Sequence, residues 1–424
     1  MASIVRELPV SIPRPASARC RGAVGLFVLL SACLLTAARR EASAATRGTP
    51  RSSDTDVVVQ ALCGKTVALL GESPAHAFGK TLQFKVEVVR RLIDECHYRA
   101  FFIESGIYDF LDIQKTLDAG GPLTPSRIAA AIGGVWATRD VEPLIPFLLE
   151  RAQRGAVTLG GLDDQLGRGT YAQLGMPADL VTYLSDDAKA RCLAILQKHT
   201  LWQYTNDAPY NASDKAQIVG CLDAIAARLS ARQSRDAPFR EYDLAAVASL
   251  KRSFARDFSD AGPPGVDPTI QTFNARDQSM YMNFQWLMAR LPVNTKVIVW
   301  AANIHVAKDL SGIPGLESRV PLGSYIRREF ADRSFALGFS AYGGSYGMAR
   351  QPVRQLSVAP PASLEGQAFA KDSAETRYFT LGQLRAFGAA PARLTGLDFR
   401  TAKWNDVLDG VVVFREERPP DFSR

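Results

Sequence analysis

The chain has 424 residues, of which 47% are hydrophobic and 22% charged, with a formal net charge of +7. This is an ordinary globular composition, long enough for one large core or two moderate ones. The charge excludes little by itself, because residues 1–45 carry six Arg and two Glu and removing them leaves about +3. With no basic stripe of interleaved aromatics after that point, no nucleic-acid partner is expected.

Arg14, Arg19 and Arg21 precede an apolar run from Ala23 to about Ala38, and Ala42-Ser43-Ala44 offers a small-x-small cleavage site. Residues 1–45 are therefore expected to be a signal peptide and the mature chain to be exported, periplasmic or secreted. The run of about 16 residues is short for a spanning helix, which needs roughly 20. Leu30-Ser31-Ala32-Cys33 resembles a lipobox, so membrane attachment through a lipidated Cys33 stays open. Residues 46–56 read as a polar tether, 57–416 as the folded domain and 417–424 as a tail.

The centre of the pattern is Thr66–Glu104. Thr66-Val-Ala-Leu-Leu-Gly71 has the length of a buried strand, and Gly71-Glu72-Ser73-Pro74-Ala75-His76 follows with turn residues. Leu82, Val86, Val89, Leu92 and Ile93 recur at helical spacing between Phe78 and Asp94, and Arg99–Ile103 is a second strand ending at Glu104. Glu72, His76 and Glu104 thus all fall at carboxyl ends of strands, where open α/β sheets place their ligand crevice.

Further strands are expected at 157–162, ending at Asp163; at 296–301, ending at Asn303 and His305; at 334–339; and at 410–414. Helical patterns occupy 107–117, 126–132 and 141–154, and a mainly helical lobe runs from about 175 to 290. It ends in Arg276-Asp277-Gln278-Ser279-Met280-Tyr281-Met282-Asn283, which reads as the start of a helix. The expected fold class is α/β, a central mostly parallel sheet with flanking helices and a helical insertion lobe.

Four cysteines follow the targeting segment, an even number suited to an oxidising compartment. Cys63 and Cys96 each lie eight residues before a strand end and would enter neighbouring strands at one level, so they suit a bridge. Cys192 and Cys221, on two successive helical patterns, would staple a hairpin. Four cysteines allow three pairings, and four reduced core cysteines are the plainer alternative.

Hydrolysis of an ester needs a base for water, a group that orients the base and a donor for the oxyanion. His76 suits the base, Glu72 or Glu104 the orienter, and Lys85, with His305 assisting, the donor. The plainer readings are that strand-end His and Glu cap neighbouring loops, that Lys85 is a solvated helix residue, and that Asp277 caps its helix. Trp136 is either a pocket wall or core, Arg276 and Asp277 form a possible substrate-binding pair, and Asp163 shares the strand edge of Glu104. His97 and His199 look structural or exposed. No Gly-x-Ser-x-Gly elbow, P-loop, GxGxxG or zinc-spaced Cys/His set is read.

The ordered series Gly71-Glu72…His76…Glu104, Gly161-Leu162-Asp163, Arg276-Asp277-x-x-Met280-x-x-Asn283, Trp300-Ala-x-Asn303-x-His305 and Ala336-x-Gly338-Phe339 resembles the erythromycin esterase family over about residues 57–416. The resemblance implies an α/β protein with a helical lobe that hydrolyses the lactone ester of a macrolide without a metal or other cofactor. It also implies that His76 is the general base and Glu72 and Glu104 the paired acids. Three departures stand out. Glu72 and His76 are four apart where the family has three, Lys85 replaces an arginine, and Ala302 replaces the first histidine of Trp-Ala-His-Asn-x-His. A metal or haem site built from His76, His305 and the two glutamates, or a small-ligand binder without catalysis, are the alternatives to an ester or lactone hydrolase.

Overall fold

The computed structural model describes residues 53–73, 76–205, 207–232, 237–258, 267–371 and 373–422. The expected signal segment, Cys33, most of the tether and Pro74 lie outside them.

The described residues form ten strands: β1 Val67–Leu70, β2 Ala100–Gly106, β3 Thr158–Asp163, β4 Val297–Trp300, β5 Ser334–Tyr346, β6 Arg354–Leu356, β7 Thr376–Thr380, β8 Ala389–Ala392, β9 Arg400–Lys403 and β10 Gly410–Glu417. The helices of eight residues or more are α1 Asp54–Cys63, α2 Gly79–Asp94, α3 Ile107–Asp118, α4 Pro125–Ile132, α5 Leu144–Gln153, α6 Asp186–Thr200, α7 Ala212–Ala231, α8 Arg240–Phe258, α9 Pro268–Met288 and α10 Leu322–Phe330. The main sheet runs β3-β2-β4-β1-β5-β10-β7, with β6 on β5. All its pairings are parallel except β10 with β7 and β5 with β6. This is the α/β fold with a mostly parallel sheet expected from the sequence.

Strand residues alternate between two buried faces, as a period of two requires. Ala68, Leu70, Phe101, Ile103, Ile298 and Trp300 join α1, α2, α4 and α5 in one core. Val67, Leu69, Ala100, Phe102, Val297 and Val299 meet α9 and α10 in the other. A third core, built by α6, α7 and α8 over Ile107, Tyr108 and Leu111 of α3, holds the helical lobe. Register fixes the level of the crevice: Leu70 pairs with Trp300, Trp300 with Ile103, and Ile103 with Gly161. The residues after that row therefore emerge along one edge.

Both expected disulfides are formed, Cys63–Cys96 and Cys192–Cys221, with Cα separations of 5.0 and 5.5 Å. Cys63 closes α1 rather than entering a strand, and Cys96 follows α2, so the first bridge ties two helices of one layer. The second closes a loop of 29 residues between α6 and α7, for which chain entropy predicts a stabilisation of about 3–4 kcal/mol. A Cys192→Ser/Cys221→Ser double variant should lose that amount in urea unfolding. A loss below about 1 kcal/mol would show that α6 and α7 pack equally well without the bridge.

Three boundaries differ from the sequence reading. Residues 54–56 belong to α1, because Ser53 and Asp56 form a capping box that starts the helix early. The expected tail is tied down: Glu417 accepts from the N–H groups of Lys80 and Thr81 at the start of α2, and Arg418 pairs with Asp140. The strand expected at 334–339 continues to Tyr346, and β6 to β9 were not anticipated. β7 is half-exposed and β8 contains Pro391, so neither shows an apolar run. Among the described residues no helix is long and apolar enough to cross a membrane.

Candidate functional site

Glu72 and His305 follow β1 and β4, Glu104 lies near the end of β2 and Asp163 closes β3; these are four adjacent parallel strands, and the side chains so meet along one edge of the sheet. Gly71 makes the first turn possible, since a Cβ there would lie 2.2 Å from Asn303 Oδ1 and 2.9 Å from the Leu337 carbonyl. His76 has a φ of 50°, a left-handed conformation that histidine adopts more readily than most residues, and its N–H donates to Ser73 O at 2.8 Å.

Glu72 organises one half of the site. Its Oε1 accepts from His76 Nδ1 (2.9 Å), Trp136 Nε1 (2.8 Å) and Trp300 Nε1 (3.2 Å), while Lys85 Nζ lies 3.3 Å from Oε2. Because a carboxylate only accepts, Nδ1 of His76 carries the proton, and in the neutral ring Nε2 keeps the lone pair. Burial disfavours the imidazolium, yet the hydrogen bond and charge of Glu72, with Glu104 behind it, outweigh this and raise the His76 pKa. The His76 side chain is 17% exposed and packs edge-on against Trp136 with centroids 5.0 Å apart.

Lys85 is not solvated. Its side chain is 0% exposed, beneath Glu72, with Nζ 4.0 Å from the Trp300 ring centroid. Burial lowers its pKa to about 8 against the pull of Glu72 and Glu104. Sequestered behind Glu72, it faces the carboxylate, not the crevice, so the oxyanion-donor part expected of it has no geometry here. It acts on Glu72.

Glu104 organises the other half. Its Oε2 accepts from the Ala302 N–H (2.8 Å), and its Oε1 lies 2.9 Å from Arg276 Nη2 and 3.2 Å from His305 Nε2. Burial alone would raise the Glu104 pKa, but His305, Arg276 and His76 hold it well below the carboxylate range. His305 Nδ1 meets Asp277 at 2.9 Å, and despite the cost of burial Asp277 and Glu104 raise its pKa to about 10. Flanked by Asp277 at Nδ1 and Glu104 at Nε2, His305 sits where the imidazolium is favoured, a form without a lone pair for a proton from water. Arg276 Nε lies 3.2 Å from both oxygens of Asp163, and at 21% exposure the guanidinium reaches the crevice.

Arg276 and Asp277 do not open a helix; they lie in the middle of α9, whose N-cap is Asp267. Asp277 caps a different helix, accepting from the Leu322 N–H at the start of α10 (2.7 Å). Trp136 is both core and wall. Of the remaining histidines, His97 is exposed and His199 is buried in the lobe against Tyr210. The spacing Gly-x-Ser-x-Gly is in fact present at Gly343–Gly347, but Ser345 sits within β5 opposite Gln355, not on a strand-to-helix turn.

Three contributors were given no role in the sequence reading, although Trp300 and Asn303 stand in the motif that ends at His305. Trp300 binds Glu72 and floors Lys85. Phe273 stacks on His305 at 5.3 Å and 10°. Asn303 donates to Phe339 O (2.8 Å) and Leu394 O (2.9 Å), fixing the turn after β4. The helical period of Phe273, Arg276, Asp277 and Met280 on α9 was the available signal for Phe273. Among the described residues no group of three or more His, Cys, Asp or Glu side chains is arranged to hold a metal ion. The oxygens of Glu104 are already engaged by an N–H, a guanidinium and an imidazolium.

The fold and site define an α/β protein whose strand-end crevice pairs one accessible imidazole with carboxylates and a guanidinium. The erythromycin esterase family model matches residues 93–416, and the chain belongs to that family. A Bacillus subtilis (strain 168) protein named "Putative hydrolase YbfO" is 22% identical over 343 residues, 76% of this chain and 75% of that one. Similar solved structures include a Bacillus cereus protein (15% identity, covering 88% and 94% of the two chains, TM-score 0.66). A succinoglycan biosynthesis protein (13%, 87% and 92%, 0.66) and a mutant of the erythromycin esterase EreC in its open conformation (14%, 87% and 95%, 0.59) share the fold as well.

Proposed function

We propose that the chain is an exported hydrolase that cleaves a carboxylic ester or lactone with water activated by His76. The observation that carries this reading is the Glu72–His76 hydrogen bond, which engages Nδ1 and so leaves Nε2 as the proton acceptor of the neutral ring. In the reaction, Nε2 takes a proton from water as its oxygen bonds to the carbonyl carbon. Arg276, beside the crevice, stabilises the oxyanion, and collapse breaks the bond to the leaving oxygen, which receives the proton from His76. Glu72 fixes the His76 tautomer, Lys85 keeps Glu72 charged, and His305 with Asp277 holds Glu104 and through it Arg276. Family membership and the name of the Bacillus subtilis relative support hydrolysis, and a macrolide lactone is a candidate substrate. The two disulfides and the signal-like N-terminus support export, with an anchor at Cys33 as one form of it.

The test is the pH dependence of kcat/KM on a panel of simple esters and macrolides. A base works only when neutral, so activity should rise with pH through a limb displaced above the ordinary imidazole value near 6.5. Glu72→Gln removes the charge that raises the limb and should move it to lower pH. A limb that stays in place would remove His76 from the role of base.

A further inference from the structure

A cavity of about 450 Å³ lies between α4 and α5, directly beyond Trp136. Its inner surface is apolar, made by Ala129, Ile132, Trp136, Ala137 and Ile145, with Arg139 and Glu142 among its polar lining residues. The volume falls in the range of small-molecule sites and suits one arm of a substrate. Trp136 is common to this cavity and to the crevice: the indole that lines the cavity donates to Glu72 and packs on His76. A group seated in the cavity therefore shares Trp136 with the candidate base, whose ring centroid lies 5.0 Å from that of the indole.

The cavity wall is held in shape from outside. The Asp140 carboxylate accepts from Arg418 Nη2 (2.6 Å) and the Asp421 N–H (2.8 Å), and the Arg139 N–H donates to Asp421 O (2.8 Å). Thr138 N–H donates to Trp136 O (2.8 Å), tying the wall to the indole. On the other side Ser105, next to Glu104, donates to Ala131 O (2.7 Å) and fixes the end of α4. A wall with these ties does not need to be ordered by its ligand, which lowers the cost of binding.

We propose that this cavity is the subsite for an apolar acyl arm of the ester, with Trp136 as the wall shared between arm and scissile group. The proposal rests on the ester hydrolase reading for its substrate but not for the existence of the site. An arm here contributes burial energy at one end while the carbonyl is presented to His76 Nε2, the arrangement that lets remote binding assist the reacting centre.

The experiment pairs turnover with direct binding. On p-nitrophenyl esters from acetate to hexanoate, kcat/KM should climb roughly fourfold per methylene. Ala137→Trp, at an exposed position of the lining, and Ala129→Phe, from the α4 side, should flatten the climb while leaving acetate turnover within about twofold. The same proteins are titrated with N-phenyl-1-naphthylamine, a neutral apolar fluorophore. Binding to the wild type that weakens by about tenfold or more in both variants is the expected result. A climb unchanged by both variants, or fluorophore binding that is absent or insensitive to them, overturns the subsite. Variant-sensitive binding without turnover of any ester would uphold the subsite as a ligand site and overturn the hydrolase reading. Turnover with neither chain-length preference nor variant-sensitive binding would do the reverse.

Discussion

Replacing His76 with alanine should lower kcat/KM by about 10²–10⁴, the range by which a positioned general base contributes. The loss should appear without unfolding. Glu72 keeps the indole N–H groups of Trp136 and Trp300 and the Lys85 charge when the imidazole is gone, so its burial remains compensated. The His76 side chain is moreover the part of this cluster that faces solvent. Initial rates on the best ester, beside a urea melt of the same variant, check both halves of the statement. Activity within tenfold of the wild type would transfer the chemistry to another group. The departures from the family at Lys85 and Ala302 do not weaken the expectation, because Lys85 acts on Glu72 and the Ala302 N–H is engaged with Glu104.

Glu104→Ala should be the most destabilising single change in the site. It removes the acceptor of the Ala302 N–H and the carboxylate that faces Arg276 and His305, leaving the buried His305 and the partly buried Arg276 dependent on Asp277 and Asp163. Breaking a buried pair by deleting one partner costs about 3–5 kcal/mol, since the remaining charge is left uncompensated. Glu104→Gln should cost less, because the amide oxygen still accepts from Ala302. Denaturant unfolding of both variants at pH 7 measures the difference. A loss under about 1 kcal/mol in the alanine variant would mean that Arg276 and His305 are satisfied without Glu104. The same substitution should reduce turnover, because Arg276 loses one of the two carboxylates that aim it.

Much of the crevice was legible before the fold. Strand runs ending at Glu72, Glu104, Asp163 and His305 stand out because parallel strands buried on both faces read as unbroken apolar segments and their ends are marked by turn residues. Elements lacking that contrast escaped: β7 is half-exposed and β8 holds a proline. The burial of Lys85 was not legible for a related reason. A lysine within an amphipathic helix reads as surface, and only the arrival of Glu72 and Trp300 above the helix makes a buried ammonium tolerable. Asp277 looked like the opening of its own helix because a cap and a mid-helix carboxylate have the same letter; its partners, His305 and the Leu322 N–H, are 28 and 45 residues away.

Local signals thus suffice for the layers of the fold and the identity of the residues at the strand ends, because period, length and turn chemistry are properties of neighbouring residues. The strand order β3-β2-β4-β1 and the division of labour within the site are not local. Whether an imidazole is neutral or charged, and whether a lysine faces water or a carboxylate, depends on groups brought together from distant segments. His76 and His305 share a side chain and a position after a strand. The first is bound to one carboxylate and 17% exposed; the second is enclosed between Asp277 and Glu104.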